Sequence, residues 1–266
     1  MSTMSTATSP RAYKAAITVD RLAYFFCRHW LAVVVIILGL FAGLPFLAPV
    51  LMQLGWKSAA SVIYVFYSTQ CHQMPQRSFF LFGPRAMYSL AEVQAVWQNT
   101  NNPLILRQFV GNAQMGWKVA WSDRMVALYG GLWLSAMLWS PLRRRVKPLP
   151  WWGFVLLALP MVLDGGTHLV SDLAGIGQGF RDSNTWLAAL TGNVLPVTFY
   201  AGDAFGSFNS WMRIVTGLLF GLGVAWFVFP HLQQAFAEME YNMEAKFNRV
   251  SQVPSAPPVP LGNSRN

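Results

Sequence analysis

The chain has 266 residues, of which 54% are apolar and only 11% charged, against about 25% charged in an ordinary soluble domain. Such a composition, with 12 Trp and 19 Phe, excludes disordered, fibrous and disulfide-framework proteins and points to a chain that lives in a membrane. The formal net charge of +9 does not indicate nucleic acid, because the basic residues flank apolar runs as juxtamembrane anchors do and no nucleic-acid module is present.

Residues 1–10 are rich in Ser and Thr, and Arg11, Lys14, Arg21 and Arg28 stand against Asp20. Residues 1–28 are therefore expected to be a cytoplasmic N-terminal segment, ahead of a membrane domain over residues 29–232. No charge occurs between Arg28 and Lys57, and residues 31–52 are almost wholly apolar. About 20 helical residues cross roughly 30 Å of hydrocarbon, so this run spans. It is too long for a signal-peptide core and no small-x-small cleavage site follows, which predicts an uncleaved anchor.

A long polar-flanked segment comes next. Residues 58–67 are apolar but too short to cross, and read as an interfacial or re-entrant helix; spanning together with residues 78–83 would raise the count to five or six. Ser89-Leu90-Ala91-Glu92 is a capping box for a helix over residues 90–98. Asn102-Pro103 supplies a cap and first position for another, which Gly111 should end.

Residues 125–142 form the second spanning run and residues 150–169 the third, where Pro160 should kink the helix. Residues 214–232 form the fourth. Leu232, Phe236, Met239, Met243 and Phe247 then recur at helical spacing, which predicts a cytoplasmic amphipathic helix over residues 233–250. Residues 251–266, rich in Pro, Ser and Asn, cannot bury enough apolar surface to order themselves. The expected fold class is thus an all-α polytopic membrane helix bundle, with about four transmembrane helices and short interfacial helices in the outer loops.

Arg143, Arg144, Arg145 and Lys147 join the second and third runs without an acid among them. The positive-inside rule places that turn and both termini in the cytoplasm, in the inner membrane, with residues 53–123 and 171–209 outside. The first of these outer segments is itself basic, which long loops tolerate. Cys27 and Cys71 then lie on opposite sides and cannot pair.

This topology gathers the chemically equipped residues at one face. Gln70-Cys71-His72-Gln73 precedes Arg77-Ser78, Ser122-Asp123-Arg124 opens the second run, Asp164-Gly165-Gly166-Thr167-His168 closes the third, and Arg181-Asp182 and Asn209–Arg213 come after it. Ionisable groups at membrane depth are costly and tend to pair or serve a function. Asp164, His168 and Asp172, spaced i, i+4, i+8, share one helix side and with Cys71, or His72 in its place, make a candidate divalent-metal site. The alternative is that Asp164 pairs with Arg124 or Arg213. Cys71 with His72 or His168 as base, oriented by Asp164, has the residue types of an activated thiol. A small apolar cysteine is the plainer reading. Arg77, Arg124, Arg181 and Arg213 suit an oxyanion bidentately, or else anchor at the interface and pair with Asp123, Asp164 and Asp182.

Cys71-His72-Gln73 with Arg77-Ser78, Ser122-Asp123-Arg124 leading to Tyr129-Gly130, Asp164-Gly165, and Asn209, Arg213 and Thr216-Gly217 together resemble the DUF2085 family of predicted prokaryotic integral membrane proteins. The resemblance covers residues 64–222 and implies a multi-pass bacterial membrane protein with no established activity. It departs at Ser122 and Met125, where family members often carry Cys or Asp, and at His168, where many carry Gln, so a thiolate cluster is disfavoured here. Residues 189–208 look like an insertion. Three function classes result: a binding or scaffold subunit, docking a membrane-protein partner or a second copy; an outward-facing enzyme using a metal or Cys/His site; and a small-solute transporter. The lipid bilayer is the one partner the composition requires.

Overall fold

A computed structural model describes residues 10–143 and 145–251, with side chains from residue 17 to residue 249. The Ser/Thr-rich leader, the Pro/Ser/Asn-rich tail and the side chains of Arg11, Lys14 and Arg144 lie outside the described residues. In chain order the elements are α1 (Pro10–Gln53), α2 (Lys57–Ser68), a 3-10 turn (Pro75–Arg77), β1 (Ser78–Leu81), α3 (Leu90–Val96), α4 (Pro103–Leu106), β2 (Gly111–Asn112) and β3 (Gly116–Ser122). Then come α5 (Asp123–Leu142), α6 (Trp151–Asp172), α7 (Phe180–Ser183), α8 (Thr185–Leu190), α9 (Val197–Tyr200) and α10 (Phe208–Ser251). Among the described residues, four stretches are long and apolar enough to cross a membrane: Ile17–Gln53, Asp123–Leu142, Trp151–Asp172 and Phe208–Arg249. They are the four expected runs, extended at their ends, and α2 is not among them. The polytopic helix bundle is the observed class.

Two compact units are present, residues 34–230 and residues 1–33 with 231–266. In the larger, α5 and α10 meet through Gly217 and Gly221, four residues apart on one face. A Cβ at Gly217 would lie 2.9 Å from the Arg124 carbonyl oxygen, and one at Gly221 would lie 2.6 Å from that of Leu128. Small residues at this spacing let two apolar helices approach backbone to backbone, which is how bundles pack where lipid removes the hydrophobic drive. The Trp133 indole donates to the Val35 carbonyl at 3.1 Å, tying α5 to α1. Phe41, Tyr67, Trp121 and Tyr129 form one aromatic cluster, mostly edge to face with Trp121 and Tyr129 stacked, and the Tyr67 hydroxyl donates to the Phe41 carbonyl at 2.8 Å.

The smaller unit pairs the first part of α1 with the last part of α10. Trp30 stacks on Phe236 with centroids 5.3 Å apart, Tyr24 donates to Glu244 at 2.7 Å, and Lys246 reaches Asp20 at 2.6 Å. The amphipathic stretch expected as a separate helix continues α10 through Pro230, and Phe236 and Phe247 of its apolar stripe pack on α1.

Where the sequence suggested only helices, the segment between α1 and α5 also carries a three-stranded antiparallel sheet in the order β1-β3-β2. Ser78 to Leu81 is β1, neither a span nor part of one, and Gly111 opens β2 at φ 114° instead of ending a helix. The Asn102-Pro103 helix is correspondingly short, and the capping-box helix ends at Val96, with Ser89 and Glu92 bonded reciprocally. Helix α6 runs on through Pro160, Gly165 and Gly166 to Asp172.

The sheet sets the start of α5. β3 passes without a loop into that helix at Asp123, and Ser78 of β1 pairs with Ser122. This register brings the 3-10 turn, and with it Arg77, beside the mouth of α5.

Candidate functional site

At the N-terminus of α5 the Ser122 hydroxyl makes no capping bond and lies 3.5 Å from Cys71 Sγ. Asp123 is fully buried. It accepts from the Arg124 backbone at 2.8 Å, from Ser210 Oγ at 3.1 Å and from Arg213 Nε at 2.7 and 3.0 Å. Arg213, on the first turns of α10, also donates through Nη1 to Asp203 at 2.6 Å. Asp203 is held on its other oxygen by Arg77 at 2.7 Å, and Arg77 grips Asp172 bidentately at 2.7 and 2.8 Å. Three carboxylates and two guanidiniums thus alternate in one chain: Asp172, Arg77, Asp203, Arg213, Asp123.

A second, shorter chain lies on α6. Asp164 accepts from Arg124 at 2.7 Å and from Arg181 at 2.6 Å. Arg181 is placed by its own local fold. Its amide donates to Ser171 Oγ at 3.0 Å, its Nε to Asn209 at 3.1 Å and its Nη1 to Thr167 at 3.2 Å. Asn184, in the left-handed region at φ 44° that asparagine tolerates, turns α7 into α8 and donates to the Arg181 and Tyr200 carbonyls. Asn209 donates to the Arg181 and Gly202 carbonyls at 2.7 and 2.9 Å.

His168 sits beside this second chain, one turn after Asp164, and its Nε2 lies 3.1 Å from Arg181 Nη2. Arginine has donors only, so Nε2 accepts and the imidazole proton resides on Nδ1. Nδ1 is buried without a hydrogen-bond partner among the described residues, as is Arg124 Nε.

Outside the spanning helices the ionisations follow from burial and pairing. Burial alone would raise Asp203, but Arg77 and Arg213 hold it well below the usual carboxylate range. Burial alone would lower Arg77, but Asp203 and Asp172 raise it. Asp182 does not join the arginines; it caps the Gly179 amide at 2.8 Å, and burial pushes it up. Lys118, at the centre of β3 and fully buried, donates to the Gln73 and Arg107 carbonyls at 2.9 and 2.8 Å, and burial pulls it down to about 7.

The structure therefore brings Arg77, Arg124, Arg181, Arg213, Asp123, Asp164, Asp172 and His168 into or beside the two chains, while Cys71 and His72 stay outside the chains and Asp182 caps a helix instead. His72 is exposed and Cys71 half-buried. Cys71 Sγ meets Ser122 Oγ and accepts from the Gln73 amide at 3.4 Å, so a hydroxyl and an amide, not an imidazole, are its hydrogen-bond partners. The expected metal set does not assemble. Asp164 and Asp172 face arginines, and among the described residues no three His, Cys, Asp or Glu side chains converge to hold an ion. Arginine pairing, which needs no metal, satisfies those carboxylates instead.

Two participants were not apparent from the chain. Asp203 lies in the stretch read as an insertion, although four arginines facing so few acids signalled a missing carboxylate. Lys118, a lone lysine between Trp117 and Val119-Ala120-Trp121, was visible as a charge inside an apolar run.

Beside these chains lies a cavity of about 410 Å³, bounded by the Cys71–Met74 segment, the Ser122–Met125 turn, the end of α6 and the loop after it. Arg77, Arg124, Arg213 and a single carboxylate, Asp172, line it, together with His168, while Asp123, Asp164 and Asp203 stand outside the lining. Its charged lining carries more arginines than carboxylates, and the rest of its wall is largely apolar.

Against known proteins, residues 113–201 match the family model described as "Predicted membrane protein (DUF2085)". The chain carries a DUF2085 region. That region holds Ser122–Arg124, Asp164, His168 and Arg181, whereas Cys71–Ser78 and Asn209–Gly217 lie beyond it. An uncharacterized protein of Methanocaldococcus jannaschii is 29% identical over 166 residues, 58% of this chain and 79% of that protein. No solved structure matches. With its four apolar helices and this predicted-membrane-protein region, the chain is a polytopic membrane protein.

Proposed function

We propose that the protein is a non-catalytic binding subunit of the cytoplasmic membrane. Its paired arginines and aspartates frame a ligand cavity at the outer face, and its termini are cytoplasmic. The carrying observation is the alternation of guanidinium and carboxylate in two buried chains, because it engages Asp164 and Asp172, the acids that a metal or a catalytic histidine would need. Cys71, with a hydroxyl and an amide as its nearest polar neighbours, lacks the base that would activate it. A transporter would place such groups between related halves near the bilayer midplane. Here they cluster at helix ends beside a sheet. The basic turn at Arg143, Arg145 and Lys147 supports the orientation.

The test compares compounds that co-purify with the detergent-extracted wild type and with Met125→Trp, which fills the cavity from a half-buried position. A stoichiometric compound bound to wild type and missing from an equally stable variant is expected. Conversion of that compound by the purified protein, or its equal retention in both, would overturn the reading. For orientation, Gln98→Cys should react with a membrane-impermeant thiol reagent in intact cells and Arg145→Cys should not; both sites are exposed. The opposite pattern inverts the topology.

A further inference from the structure

Resting on the binding reading above, we infer that the cavity takes an amphiphile: an oxyanion head, phosphate or carboxylate, on an apolar chain.

The head is argued from unsatisfied donors and from where the charge is uneven. The chain from Asp172 to Asp123 holds three acids and two arginines, while Asp164 alone faces Arg124 and Arg181. The excess of positive charge therefore sits on the Arg124–Asp164–Arg181 group. The two buried donors without partners, Arg124 Nε and His168 Nδ1, belong to that same place. Both residues line the cavity, and His168 is 3% exposed. Leaving a buried donor unpaired is costly, so an acceptor at this point is worth more than one at a solvated surface. Two N–H groups of a guanidinium and an imidazole beside a local positive excess match the oxygens of a phosphate or carboxylate, not an ammonium.

The apolar chain is argued from the rim. Leu169 and Leu173, one turn apart at the end of α6, line the cavity yet are 66% and 80% exposed. Met74, Met125 and Ile176 continue the apolar wall inward. A free inorganic ion would leave that wall unused, whereas an acyl or alkyl chain would run from the donors across Ile176 to the leucines. The volume suits a polar head and part of such a chain, since small-ligand pockets begin at about 300 Å³.

Titrations of the full chain in dodecyl maltoside test this with decyl phosphate, decanoate, inorganic phosphate, decanol and decyltrimethylammonium. Decyl phosphate or decanoate should bind at least tenfold more tightly than inorganic phosphate and than decanol. Arg124→Lys keeps a cation beside Asp164 but deletes the Nε donor, and should weaken the anionic amphiphiles tenfold while leaving decanol unchanged. Leu169→Ser with Leu173→Ser, at exposed positions and compared at equal thermal stability with wild type, should weaken the amphiphiles tenfold and leave inorganic phosphate unchanged. Inorganic phosphate binding as tightly as decyl phosphate would overturn the amphiphile. Preferred binding of decyltrimethylammonium or decanol would overturn the oxyanion and leave the binding reading standing. No binding by any probe overturns the ligand class alone if a cavity-dependent compound co-purifies, and both readings if none does.

Discussion

Two parts of the molecule use the same chemistry under opposite conditions. In the larger unit, Arg213 and Asp123 meet at 2.7 Å with side chains 3% and 0% exposed. In the smaller unit, Lys246 and Asp20 meet at 2.6 Å with side chains 59% and 27% exposed. The distances barely differ, so geometry does not rank these pairs; solvent does. Removing two charges from water costs several kcal/mol each, and the pair then holds only while every partner is present. In water, desolvation and attraction both shrink and salt screens what is left. The buried chains are therefore brittle and position-specific, as a site requires, whereas the smaller unit derives its cohesion from Trp30, Phe26 and Phe236.

The sharpest way to break that contrast is Asp164→Ala. Asp164 is the one carboxylate facing two arginines on α6, and its side chain is 1% exposed. Its removal strands Arg124 and Arg181 in the interior, for an expected loss of about 3–5 kcal/mol. Thermal or denaturant unfolding of the detergent-solubilised protein measures it. A loss below about 1 kcal/mol would place these arginines in solvent and dissolve the distinction between the two regions.

Lys118 sharpens the comparison as a buried charge with carbonyls but no bonded carboxylate. Burial brings it from 10.5 to about 7. A lysine with a depressed folded value binds fewer protons folded than unfolded between those limits, so stability rises with pH through that window. Below about pH 7 both states are protonated and the burial penalty stands in full. Unfolding of wild type should therefore gain up to about 1.4 kcal/mol per pH unit relative to Lys118→Met between about pH 7 and 10. Parallel slopes would mean that the two carbonyls alone sustain the ammonium.

Much of this was legible in the chain. Apolar runs of 18 or more residues report spanning helices because a bilayer admits little else, and Ser89 with Glu92 reported its cap because capping is local chemistry. Arg77, Arg124, Arg181 and Arg213 were recognisable as a group, and Asp123 and Asp164 as partners. Their wiring was not. Which aspartate meets which arginine depends on the Ser78–Ser122 register and on the turn at Asn184, contacts between residues far apart in sequence. The strands left no readable signal because Ser78–Leu81 is too short to establish a period and the seven-residue Gly116–Ser122 is buried along most of its length instead of alternating. The surroundings of Asp164 and Asp172 were hidden for a related reason: i, i+4, i+8 spacing placed them with His168 on one helix side but could not say that arginines would face the two carboxylates.

The smallest expected effect completes the contrast. Lys246→Ala removes the partner of Asp20 at a site where both side chains reach water. Asp20 then recovers hydration in place of the ammonium, and the freed lysine entropy is no longer lost on folding, so the expected cost is about 0–1 kcal/mol. Raising the salt concentration should shrink even that, because exposed charges are screened over about 8–10 Å at physiological ionic strength. Unfolding of wild type and Lys246→Ala at low and high salt checks both points. A cost approaching that of Asp164→Ala, insensitive to salt, would mean that the exposed end of α10 is held by its charge pair rather than by the aromatic contacts around Trp30, and the division between a charge-built site and an aromatic-built clasp would fall.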